Sequence, residues 1–292
     1  LLEYPMAISL GFPGYYANVG SIVNRGFDIT LGADIVTTRD WRWNVTVMGS
    51  TLKNKVLKLT GNGEDIVNGV YIIREGQEIN TFYMSKSAGV DPTTGEQLYW
   101  AYEKNADGSM KPGSEYVTND ATVAASCKYL QGSRIPDIYG SISSSLKFRG
   151  FDLGLLFTYS LGGKIYDSIY NALMEPSFVG QTYHRNALRT WTAPGQRTDV
   201  PRTTTTASTQ ITDRYLIDAS YFAVKNISLG YSLPKQLLGK VGIESLRIYL
   251  AADSPWIFTH LKGMNPQASF TGSTSYSYTP NRTFTLGVDL KF

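Results

Sequence analysis

The chain has 292 residues, enough for one large β-architecture or two ordinary domains. Hydrophobic residues make up 42% and charged residues only 17%, with abundant Tyr and Gly, a balance far from that of nucleic-acid-binding proteins. A net charge of +3 is too small to argue for an anionic partner, and a single cysteine, Cys127, excludes an internal disulfide.

No run approaches 18 apolar residues, so no transmembrane helix is expected; strands that cross a bilayer need no such run. The chain opens Leu1-Leu2-Glu3-Tyr4-Pro5, without a methionine or a signal peptide, and is expected to be a processed product or a piece of something longer.

Residues 1–21 mix Gly, Pro, Tyr and Asn without period and read as loop. Phe27, Ile29, Leu31, Ala33 and Ile35 then alternate with Asp28, Thr30, Gly32 and Asp34. Beyond the polar turn 37–40, Trp41, Trp43, Val45 and Val47 alternate with Arg42, Asn44 and Thr46. A strand sends successive side chains to opposite faces, so these segments predict a hairpin with one apolar and one polar face. A polar stretch runs from about 51 to 76, and 78–90 alternates weakly. The turn Asp91-Pro92-Thr93-Thr94-Gly95 separates it from a strand at 97–102; with one carboxylate in the turn, a Pro/Gly turn is expected rather than a calcium loop. Residues 104–137 read as loop, with a helical turn within 121–129.

A second hairpin follows. Ile138, Ile142, Leu146 and Phe148 face away from Tyr139, Ser141, Ser143, Ser145 and Lys147. After Arg149-Gly150, Phe151, Leu153, Leu155, Phe157, Tyr159 and Leu161 face away from Asp152, Gly154, Thr158 and Ser160. Residues 164–217 are the longest connection and contain a Thr-rich run. Between 219 and 231 the apolar phase switches from Phe222 and Val224 to Ile227, Leu229 and Tyr231, which predicts a β-bulge near Lys225-Asn226. Leu246, Ile248, Leu250 and Ala252 form the next apolar face. After a loop over about 257–279, Phe284, Leu286, Val288, Leu290 and Phe292 oppose Thr285, Gly287, Asp289 and Lys291.

About nine strands result, and their connections alternate in length. Those near 37–40, 91–95, 149–151 and 233–243 are short or moderate; those near 54–76, 104–137, 164–217 and 257–279 are long. This is the rhythm of short periplasmic turns and long extracellular loops, and it predicts an all-β fold: a transmembrane antiparallel β-barrel segment. A soluble sandwich accounts for the alternation but not for the rhythm. With Phe292 at the periplasmic end, Trp41, Trp43, Phe148, Phe151 and Tyr231 all fall beside short turns, as an aromatic girdle does. Nine strands do not close as a bacterial barrel, and an open edge in lipid leaves backbone groups unpaired. The first strand is therefore expected to pair with sequence outside this chain, or with another chain.

Catalytic chemistry finds no foothold. His184 and His260 lack companions at metal-ligand spacing, no nucleophile elbow occurs, and Gly162-Gly163-Lys164 lacks the phosphate-loop spacing and reads as a turn. No enzyme, metal or cofactor is expected. The polar stripe, including Asp28, Asp34, Arg42, Lys147, Asp152, Arg247, Asp253 and Asp289, reads as a wetted inner wall. Loop aromatics could stack on sugar rings or pack on a partner.

Several stretches resemble the SusC/RagA family of TonB-dependent outer-membrane transporters. They are Asn18-Val19-Gly20 with Asn24-Arg25-Gly26-Phe27-Asp28; Ala88-Gly89-Val90-Asp91-Pro92-Thr93-Thr94-Gly95; Ile135-Pro136-Asp137-Ile138-Tyr139-Gly140; Gly150-Phe151-Asp152-Leu153; and Tyr159-Ser160-Leu161-Gly162-Gly163-Lys164-Ile165-Tyr166-Asp167. The most specific is Val224-Lys225-Asn226-Ile227-Ser228-Leu229-Gly230-Tyr231-Ser232-Leu233-Pro234, and the last runs from Pro280 to a terminal Phe292 that is similar to a barrel-assembly signal. Asp253-Ser254-Pro255-Trp256 departs from the family, which more often has an Asn-Leu-Phe-type strand end there.

The resemblance implies that residues 1–292 are the C-terminal part of a 22-stranded barrel whose plug and earlier strands lie outside this chain. It implies an outer-membrane location, lipid around the barrel, TonB acting through the N-terminal part, and a SusD-like lipoprotein over the extracellular mouth. Oligosaccharides, and in some members peptides, are the implied substrates. Tyr183, His184, Arg185, Trp191, Trp256 and Tyr276 are the candidate contacts to substrate or lid. The alternative is an all-β surface module or adhesin that binds glycans without transport.

Overall fold

The structure, a computed structural model, describes residues 2–12, 14–18, 20–59, 63–174, 182–203, 210–238, 242–261, 265–268, 272–274 and 281–292. Among the described residues seven long antiparallel strands make one sheet, in which each pairs with the wall strand before and after it. They are β1 (Gly20–Thr37), β2 (Trp41–Leu59), β3 (Ile138–Phe148), β4 (Phe151–Leu161), β5 (Tyr221–Ser232), β6 (Ser245–Thr259) and β7 (Thr283–Lys291).

Register carries the alternation across the whole sheet, because directly opposed residues share a face. One row runs Val36, Trp43, Leu146, Leu153, Leu229, Leu250, Leu286 through all seven strands. The adjacent row on the other face runs Arg42, Lys147, Asp152, Gly230, Tyr249, Gly287. The apolar face is bare: Leu31 is 68% exposed, Leu286 71% and Phe284 74%. A soluble sandwich would bury that face under a second sheet, whereas a lipid-facing wall leaves it open.

The short-turn end is built as expected. Arg149 and Gly150 both have positive φ (43° and 90°), which a two-residue type I′ hairpin requires. Trp41 stacks on Phe148 with ring centroids 4.0 Å apart, and Phe151 lies against Tyr231 at 4.5 Å. Arg149 pairs with Asp40 at 2.9 Å, tying neighbouring turns together.

The expected bulge is present. Pairing between β5 and β6 jumps from Val224↔Trp256 to Asn226↔Asp253, so Lys225 stands opposite Ser254-Pro255, and Ser254 takes a φ of 49°. The extra residue restores the phase on β5, and the two residues opposite it leave the phase of β6 unchanged. As a result β6 continues to Thr259, into the loop expected from about residue 257.

Two of the nine expected strands form but do not belong to this wall. Thr81–Val90 and Gln97–Ala101 join a separate sheet with Ile66–Asn68, Tyr71–Ile73, Tyr116–Thr118 and Lys128–Leu130. The turn 91–95 therefore lies at the long-loop end, within a single β2–β3 connection of residues 60–137. Two physical facts exclude these strands from the wall. Gln97–Ala101 is five residues, about half of what a tilted crossing needs. Thr81, Phe82, Met84 and Ser85 are all buried, so Thr81–Val90 presents no lipid face.

Among the described residues the largest apolar core sits in the loops. Phe82 and Met84 from residues 60–137 pack with Tyr166, Met174, Val200 and Tyr215 from residues 162–220. A second cluster, Val56, Leu59, Ile66 and Ile73, ties this module to the top of β2. The expected helical turn is Ala121–Ser126, capped by Asp120, whose carboxylate accepts from Thr122 N at 2.7 Å. Among the described residues no helix is long and apolar enough to cross a membrane.

Candidate functional site

The inner face of the wall is a hydrogen-bonded network. Arg247 on β6 reaches across β5 to Asp152 on β4 (2.7 Å) and also pairs with Asp289 on β7 (3.1 Å). Asn44 donates to Asp34 at 3.1 Å and Asn226 to Asp253 at 2.7 Å. These groups satisfy one another, which favours a wall over a track of free side chains.

The Arg247 bridge depends on Gly230, which lies beneath it. A Cβ there would stand 2.6 Å from an Asp152 oxygen and 2.7 Å from the Arg247 guanidinium. Gly230→Val is therefore expected to displace the guanidinium and cost roughly 1.5–3 kcal/mol, the range for a charge-assisted hydrogen bond. Chemical unfolding of the detergent-solubilised barrel measures it, and an unchanged midpoint would show that the bridge contributes nothing.

At the long-loop end the connections fold together. Ser87 N donates to Asp213 Oδ1 at 2.8 Å, and Arg202 pairs with Glu96 at 2.9 Å. Gln267, between β6 and β7, meets the inner face: its Nε2 lies 3.4 Å from the Thr158 Oγ1 hydroxyl, and its Oε1 accepts from the bulge residue Lys225.

A cleft of about 390 Å³ opens between Ser168–Met174, the 3-10 turns Arg185–Arg189 and Asp213–Tyr215, and the start of the β6–β7 loop. Its size suits a small ligand or one or two units of an oligomer. Tyr170, Tyr215, Leu173 and Leu261 give it an apolar, aromatic floor, and Asp167, His184, Asn186, Arg214 and His260 supply polar groups. Asp167 is already committed, accepting from Tyr170 N (3.0 Å) and Thr274 Oγ1 (3.1 Å). Next to the lining residue Ile217, Asp218 is held below the usual carboxylate range, chiefly by hydrogen bonding from Ser220 and less by the nearby His260. Such a lining can hold an amphipathic ring or chain by stacking and hydrogen bonding.

The expected contact residues divide. His184 lines the cleft; its Nδ1 accepts from Asn186 N at 3.1 Å, which leaves Nε2 to carry the proton in the neutral ring, and the ring meets Tyr170 edge-on at 5.0 Å. Tyr183 is half-buried beside it, and Arg185 is exposed at the start of the 3-10 turn. Trp191 is occupied elsewhere, donating to Pro92 O at 2.9 Å with its ring over Gly95, where a Cβ would meet it at 2.4 Å. Trp256 is corrected outright. It pairs with Val224 on the apolar outer face, 53% exposed and on the same side as Phe222 and Phe258, so it belongs to an aromatic belt at the long-loop end. Tyr276 lies outside the described residues. Phe292, 83% exposed, keeps the outward phase of β7.

His260, read from sequence as an isolated loop histidine, shares the cleft with His184. The convergence joins residues 76 positions apart, and no local pattern signals it. Asp91 caps its own turn by accepting from Thr93 N (2.7 Å), which lowers its pKa and leaves a plain turn, as expected. Among the described residues no three His, Cys, Asp or Glu side chains converge to hold a metal.

No family model matches the chain. It is similar over its whole length to TonB-dependent receptor P3 of Formosa agariphila, 28% identical over 316 aligned positions. Over 94% of its length it is 24% identical to TonB-dependent receptor SusC of Bacteroides thetaiotaomicron. The solved RagAB peptide transporter superposes on 99% of the chain with a TM-score of 0.85 at 27% identity. The chain spans 31%, 27% and 31% of those proteins respectively, less than a third of their length.

Together with a meandering wall, a bare apolar face and folded long loops, these likenesses define a β-barrel segment of a TonB-dependent outer-membrane receptor. Within that class the likenesses to SusC and to RagAB fit a C-terminal barrel segment of the SusC/RagA type.

Proposed function

We propose that this chain is the C-terminal wall and extracellular mouth of an active importer of oligomeric nutrients, oligosaccharides or peptides. The plug, the earlier strands and the TonB contact are supplied by the rest of the protein, and a SusD-like lipoprotein closes over the loops. The observation that carries the reading is the shared core of residues 60–137 and 162–220. Long connections that bury their own apolar core over a barrel mouth are built for binding, since a spacer needs no core. The aromatic cleft beside His184 and His260 and the contact of Gln267 with the inner wall support it, because both lie at the long-loop end, which on this reading is the entrance.

Replacing about residues 180–210 with a short Gly/Ser linker in the whole transporter is expected to abolish growth on the cognate oligomer. The barrel should still reach the outer membrane, read as a heat-modifiable band. Intact uptake together with intact co-purification of the lipoprotein would overturn the proposal.

The terminal aromatic is proposed as an assembly signal. Phe292→Asp is expected to lower the amount of folded barrel severalfold at an unchanged synthesis rate, measured by pulse-labelling and surface protease access. Unchanged surface levels would make Phe292 ordinary strand packing.

A further inference from the structure

The outward face changes character at the top of the β1–β2 hairpin. Below, Phe27, Ile29, Leu31 and Ile35 are exposed and apolar. Two residues higher, Arg25 stands directly opposite Lys53, and two higher again Lys55 stands opposite Val23. All three cations are exposed, and among the described residues none of their side chains has an ion-pair or hydrogen-bond partner.

Directly opposed like charges destabilise a strand pair, their Cβ atoms being about 5 Å apart. Their side chains cannot turn inward for relief. At that level the inner face is filled by Asn54, which donates to Asn24 at 2.6 Å and accepts from Ile79 N at 2.8 Å, and by the buried Val56. An external anion between Arg25 and Lys53 removes the repulsion.

Height above the apolar band identifies that anion. One step of two residues advances about 7 Å along a strand, less once tilt is counted, so the cations sit just above Phe27, the top of the continuous apolar run, with Val23 opposite Lys55 and the exposed Leu57 higher still. That is the depth of lipid headgroups. We propose that Arg25, Lys53 and Lys55 form a binding site for the phosphate of outer-leaflet lipids, continuous with the membrane-facing surface. A net charge of only +3 hides this site, because just three of the chain's 27 Lys and Arg residues form it.

The test uses the whole transporter in nanodiscs of mixed phosphatidylglycerol and phosphatidylcholine, with phosphatidylglycerol enrichment around the protein read by native mass spectrometry. Each cation near a charged lipid surface contributes roughly a fivefold preference, so R25Q/K53Q/K55Q should lose most of the enrichment. Lys104→Gln, a neutralisation in the loop module, should retain it, and so should the charge-preserving R25K/K53R. Unchanged enrichment in the triple variant overturns the proposal, as does loss in R25K/K53R, which would indicate packing rather than charge. Displacement of the lipid by millimolar inorganic phosphate would make the ligand a free anion and equally overturn it.

Discussion

Arginine at Leu286 is expected to destabilise the folded barrel by about 2–4 kcal/mol, whereas arginine at the adjacent Thr285 should cost far less. Leu286 lies at the middle of β7 with 71% of its surface exposed, in the apolar row shared with Leu250, Leu229 and Leu153. A guanidinium there must either shed its hydration in hydrocarbon or drag water and headgroups inward. Thr285 points to the inner face opposite Ala251, where water and polar neighbours can solvate the charge. The measurement is a pair of unfolding curves of the whole protein in lipid. Equal losses at the two positions would mean that the bare face is covered by protein, and the wall would not be a lipid-facing one.

This expectation was available from sequence because the strand period is 2 and the wall has one apolar face. Every wall strand announced itself that way. Even the bulge at Lys225 was legible, since a phase change inside one strand has a single local remedy. What misled was the same signal in a different setting. Thr81–Val90 and Gln97–Ala101 alternate weakly and are joined by a Pro/Gly turn, as wall strands are. Length separates the two cases, because a five-residue strand does not cross a bilayer.

The Trp256 error has a related cause. Asp253-Ser254-Pro255 resembles a strand end. In the structure Ser254 and Pro255 are absorbed as an insertion opposite Lys225, and the strand resumes with Trp256 facing outward. A short-range pattern cannot distinguish a bulge from a terminus when its compensating residue sits on another strand. For the same reason the cleft was invisible: His184, Asn186, Arg214 and His260 come from segments whose meeting is fixed by the module core, not by their own neighbours.

That core gives the second large effect. Phe82→Ala is expected to cost the loop module roughly 3–5 kcal/mol, the range for truncating a fully buried aromatic. Phe82 is fully buried, its ring lies 5.1 Å from that of Tyr71, and its neighbours Met84, Tyr166, Met174, Val200 and Tyr215 come from both long connections. The cavity left behind cannot be filled by collapse of one segment alone, because the Phe82 backbone is pinned by N–H donation to Gly132 O (2.7 Å) and acceptance from Gln131 N (2.8 Å). The wall keeps its own ladder of strand pairs and should remain assembled, so the damage should be local. Limited proteolysis of the whole transporter separates the outcomes. Faster cleavage within 60–137 and 162–220, with the heat-modifiable barrel band retained, is the expected result; loss of the band would show that module and wall unfold as one unit. Cleavage at the wild-type rate would mean that Phe82 does not hold the mouth together. If the mouth also carries uptake, growth on the oligomer should fall in step with module order while the amount of barrel stays constant.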